Sequence, residues 1–469
     1  MTRSRRLFLK ALSLEAALPA MVVAEHDRPQ GSVPVAPMET GASLRRGPYL
    51  QCQGPDRIMI RWRSDQSSIN GLVRYGTGLD KLDQVVVATS SRSENHDGLD
   101  WHAQLLGLRP ETHYFYAIEN SKAILAGFDE EHFFVTAPEV GKPRSARFWV
   151  LGDCGTNRVN SGNPGKSLSA RNGFRKYRSQ NPNLDGMILL GDNAYSHGTD
   201  AQYQSAIFQV YQDELKNLTV WPCIGNHELT DDYLEIFTVP GKGEIGGVAS
   251  NSKNYYSWDF ANIHFTVLDL WKSEWRNDLA AQIEWLKADL SKTRQQWKVA
   301  INHFPPYCDG KYESDNNGFL VEVRQKILPI LEDHGVDLFL TGHDHTYQRS
   351  FLLDGHYGPR STFDPQKHMK SNADGVAEPI VKKSGARLGL VTVVTGTAGA
   401  EQPADLANPL SPQLNHPAMV KLAKGDQSMR GIRRIGTFLL EISGEKLTGT
   451  QIDDRGEILD RFTMIKHWS

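Results

Sequence analysis

The chain has 469 residues and a formal net charge of −3, with 39% hydrophobic and 23% charged residues. That length exceeds one ordinary domain, the composition is that of a globular protein, and the charge leaves no basic surface for nucleic acid. No run of eighteen apolar residues occurs, so no spanning helix and no stable membrane insertion are expected.

The first 24 residues read as an address. Ser4-Arg5-Arg6-Leu7-Phe8-Leu9-Lys10 resembles a bacterial twin-arginine export signal, and the modestly apolar stretch after it ends in Val22-Val23-Ala24, where a small residue suits cleavage. The expected destination is periplasmic or secreted. Residues 25–43 form a Pro-, Gly- and Ala-rich lead-in. Short alternating segments then follow, at Gly47-Pro48-Tyr49-Leu50, Arg57–Arg63, Gly71–Tyr75, Trp101–Leu106, His113–Ile118 and His132–Val135, separated by turn residues. This rhythm predicts an all-β sandwich over residues 44–138. Ala137–Pro143 reads as a linker.

A different pattern begins at residue 145. Apolar runs at Ala146–Leu151, Met187–Leu190, Val220–Ile224, Lys298–Ile301 and Val336–Leu340 predict buried strands. Helical spacing between them marks Ala201–Asn217, Ala280–Thr293 and Phe319–His334. Strand and helix in alternation predict an α/β domain with a mostly parallel sheet. Ser252–Leu270 reads as a hairpin turning at Asp259–Asn262, with Trp258 and Phe265 in the core. The polar stretch His356–Ala386 carries Lys367, His368, Lys370, Lys382 and Lys383, and reads as either a lid for anions or a solvated loop. Leu388–Thr395, Thr437–Ile442, Leu447–Ile452 and Ile458–Ile465 predict a second sheet.

Each catalytic-region strand hands over to a chemistry-bearing loop. These loops hold Asp153, then Asp192 and Tyr195, then Asn226, then His303, then His343 and His345. Carboxylate, amide oxygen, phenolate and imidazole are ligand types for hard and borderline metals, and ligands in open α/β sheets bind outside the carboxyl ends of the strands. Asp192 and Tyr195 are close enough in sequence to share one turn, and the two oxygens of Asp192 can bridge two ions. The set predicts a two-metal site. Cys52, Cys154, Cys223 and Cys308 show no pairing signal, and Cys154 is expected as a buried neighbour of the site instead of a ligand.

These segments resemble the purple acid phosphatase branch of the metallophosphoesterase superfamily. The matching motifs are Gly152-Asp153, Gly191-Asp192-Asn193-Ala194-Tyr195, Gly225-Asn226-His227-Glu228, Ala300-Ile301-Asn302-His303 and Gly342-His343-Asp344-His345, with Thr346-Tyr347-Gln348-Arg349 after them. Ala300 stands where the family usually has Val. The resemblance implies a four-layer α-β-β-α sandwich over 145–469, preceded by a fibronectin type III-like domain whose corner matches Gly107–Tyr116. It implies Fe(III) on Asp153, Tyr195 and His345. A second ion, iron, zinc or manganese, would sit on Asn226, His303 and His343, with Asp192 bridging. Plant and animal members carry one or two histidines shortly after the His303 position. Here the stretch Phe304–Glu313 has none, which leaves Lys311, Tyr312 and Glu313 as replacements.

The expected activity is hydrolysis of phosphate monoesters of small phosphorylated substrates, with a metal-activated water as nucleophile. Phosphodiester hydrolysis is the alternative on the same site. A degenerate binding protein is the alternative of another class. Asn226, His227 and Tyr312 are the expected substrate contacts. His227 is the expected general acid, or a residue that only orients a ligand.

Overall fold

The computed structural model describes residues 43–66, 70–156, 166–179, 183–271, 278–400, 415–424 and 430–468. The expected export signal at 1–24 and all but the last residue of the expected 25–43 lead-in lie outside the described residues.

Nine strands come first. They are β1 (Leu44–Gln51), β2 (Arg57–Ser64), β3 (Leu72–Gly76), β4 (Gln84–Val87), β5 (Thr89–Arg92), β6 (Leu99–Leu106), β7 (His113–Glu119), β8 (Ile124–Gly127) and β9 (Phe133–Val135). They form two antiparallel sheets, ordered β1-β2-β6-β5 and β4-β3-β7-β8, with β9 on β7. Ile58, Ile60, Trp62, Val73, Trp101 and Tyr116 fill the space between them, and Trp62 stacks on Trp101 at 6.0 Å. Tyr114 Oη accepts the N–H of Arg109 at 3.1 Å, which pins the corner of the sandwich. β4, β5 and β8 carried no sequence signal because most of their side chains face water, so no alternation marks them.

Two mixed sheets follow. The first has the order β12-β11-β10-β20-β21-β22-β18, built from β10 (Ala146–Leu151), β11 (Gly186–Leu189), β12 (Val220–Pro222), β18 (Ile380–Lys383), β20 (Gly436–Ser443), β21 (Lys446–Asp453) and β22 (Ile458–His467). The second has the order β13-β14-β15-β16-β19-β17, built from β13 (Tyr256–Phe260), β14 (Ile263–Val267), β15 (Trp297–Ile301), β16 (Leu338–Thr341), β17 (Tyr347–Arg349) and β19 (Val391–Thr395). Their inner faces share one core, in which Phe148 meets Phe265 edge-on at 5.0 Å and Trp221 stacks on Trp258 at 4.3 Å. Helices cover the outer faces. Phe174 of α1 (Lys166–Arg178) stacks on Trp149 at 4.3 Å. On the other side, Trp285 and Leu286 of a helix at Leu279–Lys292 share a cluster with Ala300 and Phe339. The result is four layers, α-β-β-α.

The C-terminal strands do not make a sheet of their own. β19 adds parallel to β16, while β20 pairs antiparallel with β10. The parallel edge of β10 offered an unpaired ladder, and the β20–β22 meander completes it. The helix expected over 201–217 is instead α2 (Asp200–Tyr203), a π turn at Gln204–Phe208 and α3 (Gln212–Leu215). Tyr203, Ala206, Ile207, Phe208, Val210 and Tyr211 are all buried, more than one α-helical stripe can face inward, and the wider turn accommodates them. In the stretch His356–Ala386, two lysines that read as free cations are paired. Lys382 on β18 is buried with Nζ 2.7 Å from Asp337 Oδ1, and Lys370 pairs with Asp354 at 3.1 Å. No helix among the described residues is long and apolar enough to cross a membrane.

One buried polar cluster braces the second sheet. His264 on β14 lies between Asp259 Oδ1 at 2.7 Å and Asp289 Oδ2 at 2.9 Å and is fully buried. Burial alone would lower the imidazole, but hydrogen bonds to Asp259 and Asp289, with their charge, raise it to about 9. A folded pKa above the unfolded value contributes stability that is whole below about pH 6.5. It is lost as pH rises through about 9. His264→Gln leaves two buried carboxylates facing one another, and urea denaturation at pH 6 is expected to show a loss of about 3–5 kcal/mol. The loss should shrink at pH 10.

Candidate metal centre

Every sequence-derived ligand sits just past the carboxyl end of a strand. Asp153 follows β10, Asp192 and Tyr195 follow β11, and Asn226 follows β12; His303 follows β15, and His343 and His345 follow β16. β10, β11 and β12 run parallel in one sheet, and β15 and β16 run parallel in the other. Asp153, Asp192 and His343 each hold a left-handed backbone, with φ of 56°, 52° and 67°. Non-glycine residues in that region mark positions whose conformation the surroundings impose. The backbones also approach closely: a Cβ on Gly225 would lie 2.3 Å from Asp192 Oδ1, and one on Gly342 2.5 Å from Asp153 Oδ2.

The side chains form two groups that meet at one atom. Tyr195 Oη lies 3.0 Å from Asp153 Oδ1, 3.1 Å from Asp192 Oδ2 and 3.2 Å from His345 Nε2. His303 Nε2 lies 3.4 Å from the same Asp192 Oδ2 and 3.2 Å from Asn226 Oδ1. Ligand atoms of Asp153, Asp192 and His303 all fall within 4.8 Å of one another. His343 joins the second group through its ring, 5.1 Å from that of His303, and its N–H donates to Asp153 Oδ2 at 2.8 Å. Its Nε2 is buried without a hydrogen-bond partner.

The electrostatics fit a cation. Asp153 and Asp192 are buried, and among the described residues neither pairs with a Lys or Arg. Burial opposes ionisation of Asp192, but the field and hydrogen bond of His303, with His227, hold it below the usual carboxylate range. Burial likewise opposes charge on His303, yet Asp192 and Asp153 raise it to about 9. His345 is also raised, by Asp153 against burial. Burial, then Asp153 and Asp192, push the Tyr195 phenol well above its ordinary value. The upward shifts of His303, His345 and, after burial, Tyr195 report the negative charge of Asp153 and Asp192, and a multivalent cation inverts that balance by displacing the protons. The orphaned His343 Nε2 and this donor set are what such an ion requires. Cys154 stays a thiol, because burial and then Asp153 raise it.

Three further residues frame the site. His227 is half-exposed, its N–H donates to Asp192 Oδ1 at 2.8 Å and its Nδ1 meets Ser196 O at 2.8 Å. A carbonyl at Nδ1 demands a proton there, so Nε2, 3.9 Å from Asp192 Oδ2, is the atom free to exchange one. The Tyr312 ring lies flat on His343, centroids 4.0 Å apart at 13°. Lys311 sits with Nζ 5.1 Å from the Tyr312 ring centroid, whereas Glu313 is committed to Arg360 at 2.9 Å.

Sequence reasoning gave Glu228 no role. Its buried carboxylate accepts N–H groups of Asp192 at 3.0 Å, Asn193 at 2.9 Å and Gly225 at 2.6 Å, and the Tyr203 hydroxyl at 3.2 Å. Burial and then Asp192 raise it to about 7. It locks the β11 and β12 loops together. Its place at the end of Gly-Asn-His-Glu was the only signal, and a motif does not say which backbone its last residue holds.

Residues 146–347 match the calcineurin-like phosphoesterase family, and residues 46–136 match the purple acid phosphatase N-terminal domain. The chain is 25% identical over 446 residues to acid phosphatase type 7 of Danio rerio, covering 87% of this chain and 88% of that one. It is 25% identical over 315 residues to purple acid phosphatase 21 of Arabidopsis thaliana, covering 64% and 65%. Among solved structures, purple acid phosphatase PPD1 from yellow lupin seeds shares the fold, with a TM-score of 0.63 at 18% identity over 90% of this chain and 75% of that one.

Binding to the folded state alone stabilises it by about 4 kcal/mol when free metal exceeds Kd a thousandfold. Chelation is therefore expected to lower Tm, and Asp192→Asn, which lowers the charge shared by both groups, should show a much smaller chelator-induced shift by calorimetry.

Proposed function

We propose that this chain, whose residues 146–347 match the calcineurin-like phosphoesterase family and whose residues 46–136 match the purple acid phosphatase N-terminal domain, hydrolyses phosphate monoesters at a dinuclear metal centre. The observation that carries the reading is the meeting of two ligand groups at Asp192 Oδ2. In the proposed assignment Asp153, Tyr195 and His345 hold Fe(III), and Asn226, His303 and His343 hold a divalent iron, zinc or manganese ion. Asp192 is shared by both. Two cations held by these residues would supply charge neutralisation of the phosphoryl oxygens and activation of a water.

The chain supplies positioning and proton transfer. Asp153, Asp192 and Glu228 are buried and their partners fixed, so the centre reorganises little during reaction. His227 Nε2 is the proposed proton donor to the departing oxygen, a role that needs the imidazolium form. The Asn226 amide, beside His227 at the mouth of the β12 loop, is the proposed second phosphate contact. Tyr312, stacked on His343, closes the side where related enzymes carry histidine, and is the proposed wall against the leaving group. Names of similar proteins support acid phosphatase activity. Arg5-Arg6 and the apolar stretch behind it support export to the periplasm or beyond.

Hydrolysis of p-nitrophenyl phosphate and bis-p-nitrophenyl phosphate across a pH series tests the reading. Monoester turnover is expected to exceed diester turnover and to fall by more than about 100-fold in Asp192→Asn. Diester turnover alone would make the enzyme a phosphodiesterase, and none in metal-replete protein would favour a binding role. A purple absorption band lost in Tyr195→Phe is expected from phenolate bound to Fe(III); a colourless, active, zinc-only protein would remove the iron assignment.

A further inference from the structure

The first β-sheet reaches into the catalytic domain with three arginines and a tyrosine. Arg46 on β1 places Nη2 2.9 Å from Asp200 Oδ1 and Nε 2.7 Å from Gln204 Oε1. Arg63 on β2 grips the same carboxylate with Nη1 at 2.6 Å from Oδ2 and Nη2 at 2.7 Å from Oδ1. Its Nε donates to Asp100 at 2.8 Å, which also meets His96 at 2.8 Å. Side-chain exposure is 0% for Arg46, 7% for Arg63, 10% for Asp200 and 9% for Asp100, so the set is nearly dry. Arg61 donates to Ile236 O at 2.6 Å and Glu235 O at 2.7 Å, and Tyr49 Oη donates to Ile236 O at 2.8 Å. These are the closing carbonyls of α4 (Asp232–Ile236), which have no partner inside the helix.

The gripped elements directly follow the metal-ligand loops. Asp200 opens α2 just after the Asp192–Tyr195 loop, and α4 begins just after Asn226 and His227. α2 has four residues and α4 five, too short to be stable alone, so outside contacts decide where they sit. From them, hydrogen bonds run on to the ligands. Gln202 Oε1 accepts His197 N–H at 2.9 Å, Thr230 Oγ1 donates to Gly198 O at 2.6 Å, and Tyr203 Oη donates to Glu228, which accepts the N–H groups of Asp192 and Gly225. Asp192 is held in a left-handed conformation, which persists only where the surroundings over-determine it.

We propose that Arg46, Arg61 and Arg63 are positioning residues of the metal centre, so that the N-terminal β-domain is a working part of the active site through its hold on α2 and α4. This rests on the metal-dependent phosphatase reading and goes beyond it by giving the N-terminal domain a task in turnover. Arg63 is the key member, because it joins Asp200 to Asp100 of its own sheet. Neither the arginines nor Asp200 touches a metal-ligand side chain.

The test uses the full-length, metal-loaded protein carrying Arg63→Met or Arg63→Lys. Three quantities are measured at a temperature where circular dichroism shows the fold intact: kcat and KM on p-nitrophenyl phosphate, the rate of metal loss to a chelator, and hydrogen exchange by segment. Arg63→Met is expected to lower kcat about tenfold or more with KM within about twofold, since small misplacements of a reacting centre carry costs of that order. Metal loss should quicken about tenfold, and exchange should rise in 192–203 and 225–236 but not in β20–β22. Arg63→Lys should recover part of each effect, lacking only the forked contact. A lowered Tm with kcat, metal retention and exchange in those segments unchanged would show the network to be purely structural and would overturn the proposal. Should Arg63→Met not fold, Ser93→Ala with Asn95→Ala removes the rim contacts to Glu235 at 2.6 Å and Asp232 at 2.7 Å. That variant is expected to quicken exchange in α4 and metal loss about twofold to threefold, and no change in either would also overturn the proposal. A wild-type protein without phosphatase activity would defeat the functional reading, while metal loss and exchange would still decide the positioning role.

Discussion

Two carboxylates, Asp153 and Asp192, are buried side by side where two sheets end. Placing like charges in a low-dielectric interior is unfavourable unless something opposite joins them. Much around them answers that constraint. Imidazoles of His303 and His345 are raised to share it, burial and then the two carboxylates push the Tyr195 phenol up, and the N–H groups of His227 and His343 are spent on it. Glu228 adds a third buried carboxyl behind the first two, and burial first, then Asp192, raises it to about 7. The chemistry follows from that arrangement: a site so rich in acceptors and so poor in cations is built to hold multivalent metal, and metal at that point is what phosphoryl transfer needs.

The scaffold meets the constraint through strand direction. Parallel strands in both sheets bring five loops to one rim, and each loop adds one or two ligands. The loops are then tied to one another more than to the sheets. Glu228 joins the β11 and β12 loops, Asp153 receives the backbone of His343 from the opposite sheet, and Leu190 O meets His303 Nδ1 at 2.8 Å. The last of these fixes the His303 tautomer, and together they explain why ligands of unrelated sequence position fall within hydrogen-bond distance.

The site was more legible than the fold around it. All seven candidate ligands stood in short motifs that follow an apolar run, and the structure brings those seven side chains together. The alternation of strand and helix was legible too, because the buried strands are short and apolar and most are closed by glycine. What escaped was whatever lacked an apolar pattern. α1 buries only Ser167, Ala170, Gly173 and Phe174 among thirteen residues, so its periodicity was faint. β4 and β5 face water almost entirely. Sheet membership of β19 and β20 depends on pairing across long stretches of chain, which no local pattern encodes. Lys382 looked like a surface cation because its partner Asp337 is distant in sequence. The arginines of β2 read as the polar half of an alternating strand, yet Arg61 and Arg63 are buried against another domain.

The pairing of β10 with β20 bears on how the protein comes to be made. Asp153 leaves β10, whose partner in the ladder, joined for example by Arg147 and Glu441, lies 294 residues downstream. Contacts of such separation close late, because the intervening loop must be ordered first. On the ribosome, residues 1–435 can emerge with β10 still carrying an open edge. Strands made much later thus complete the sheet that carries Asp153, and a chain stalled before β20 would hold that loop on a strand with one open edge.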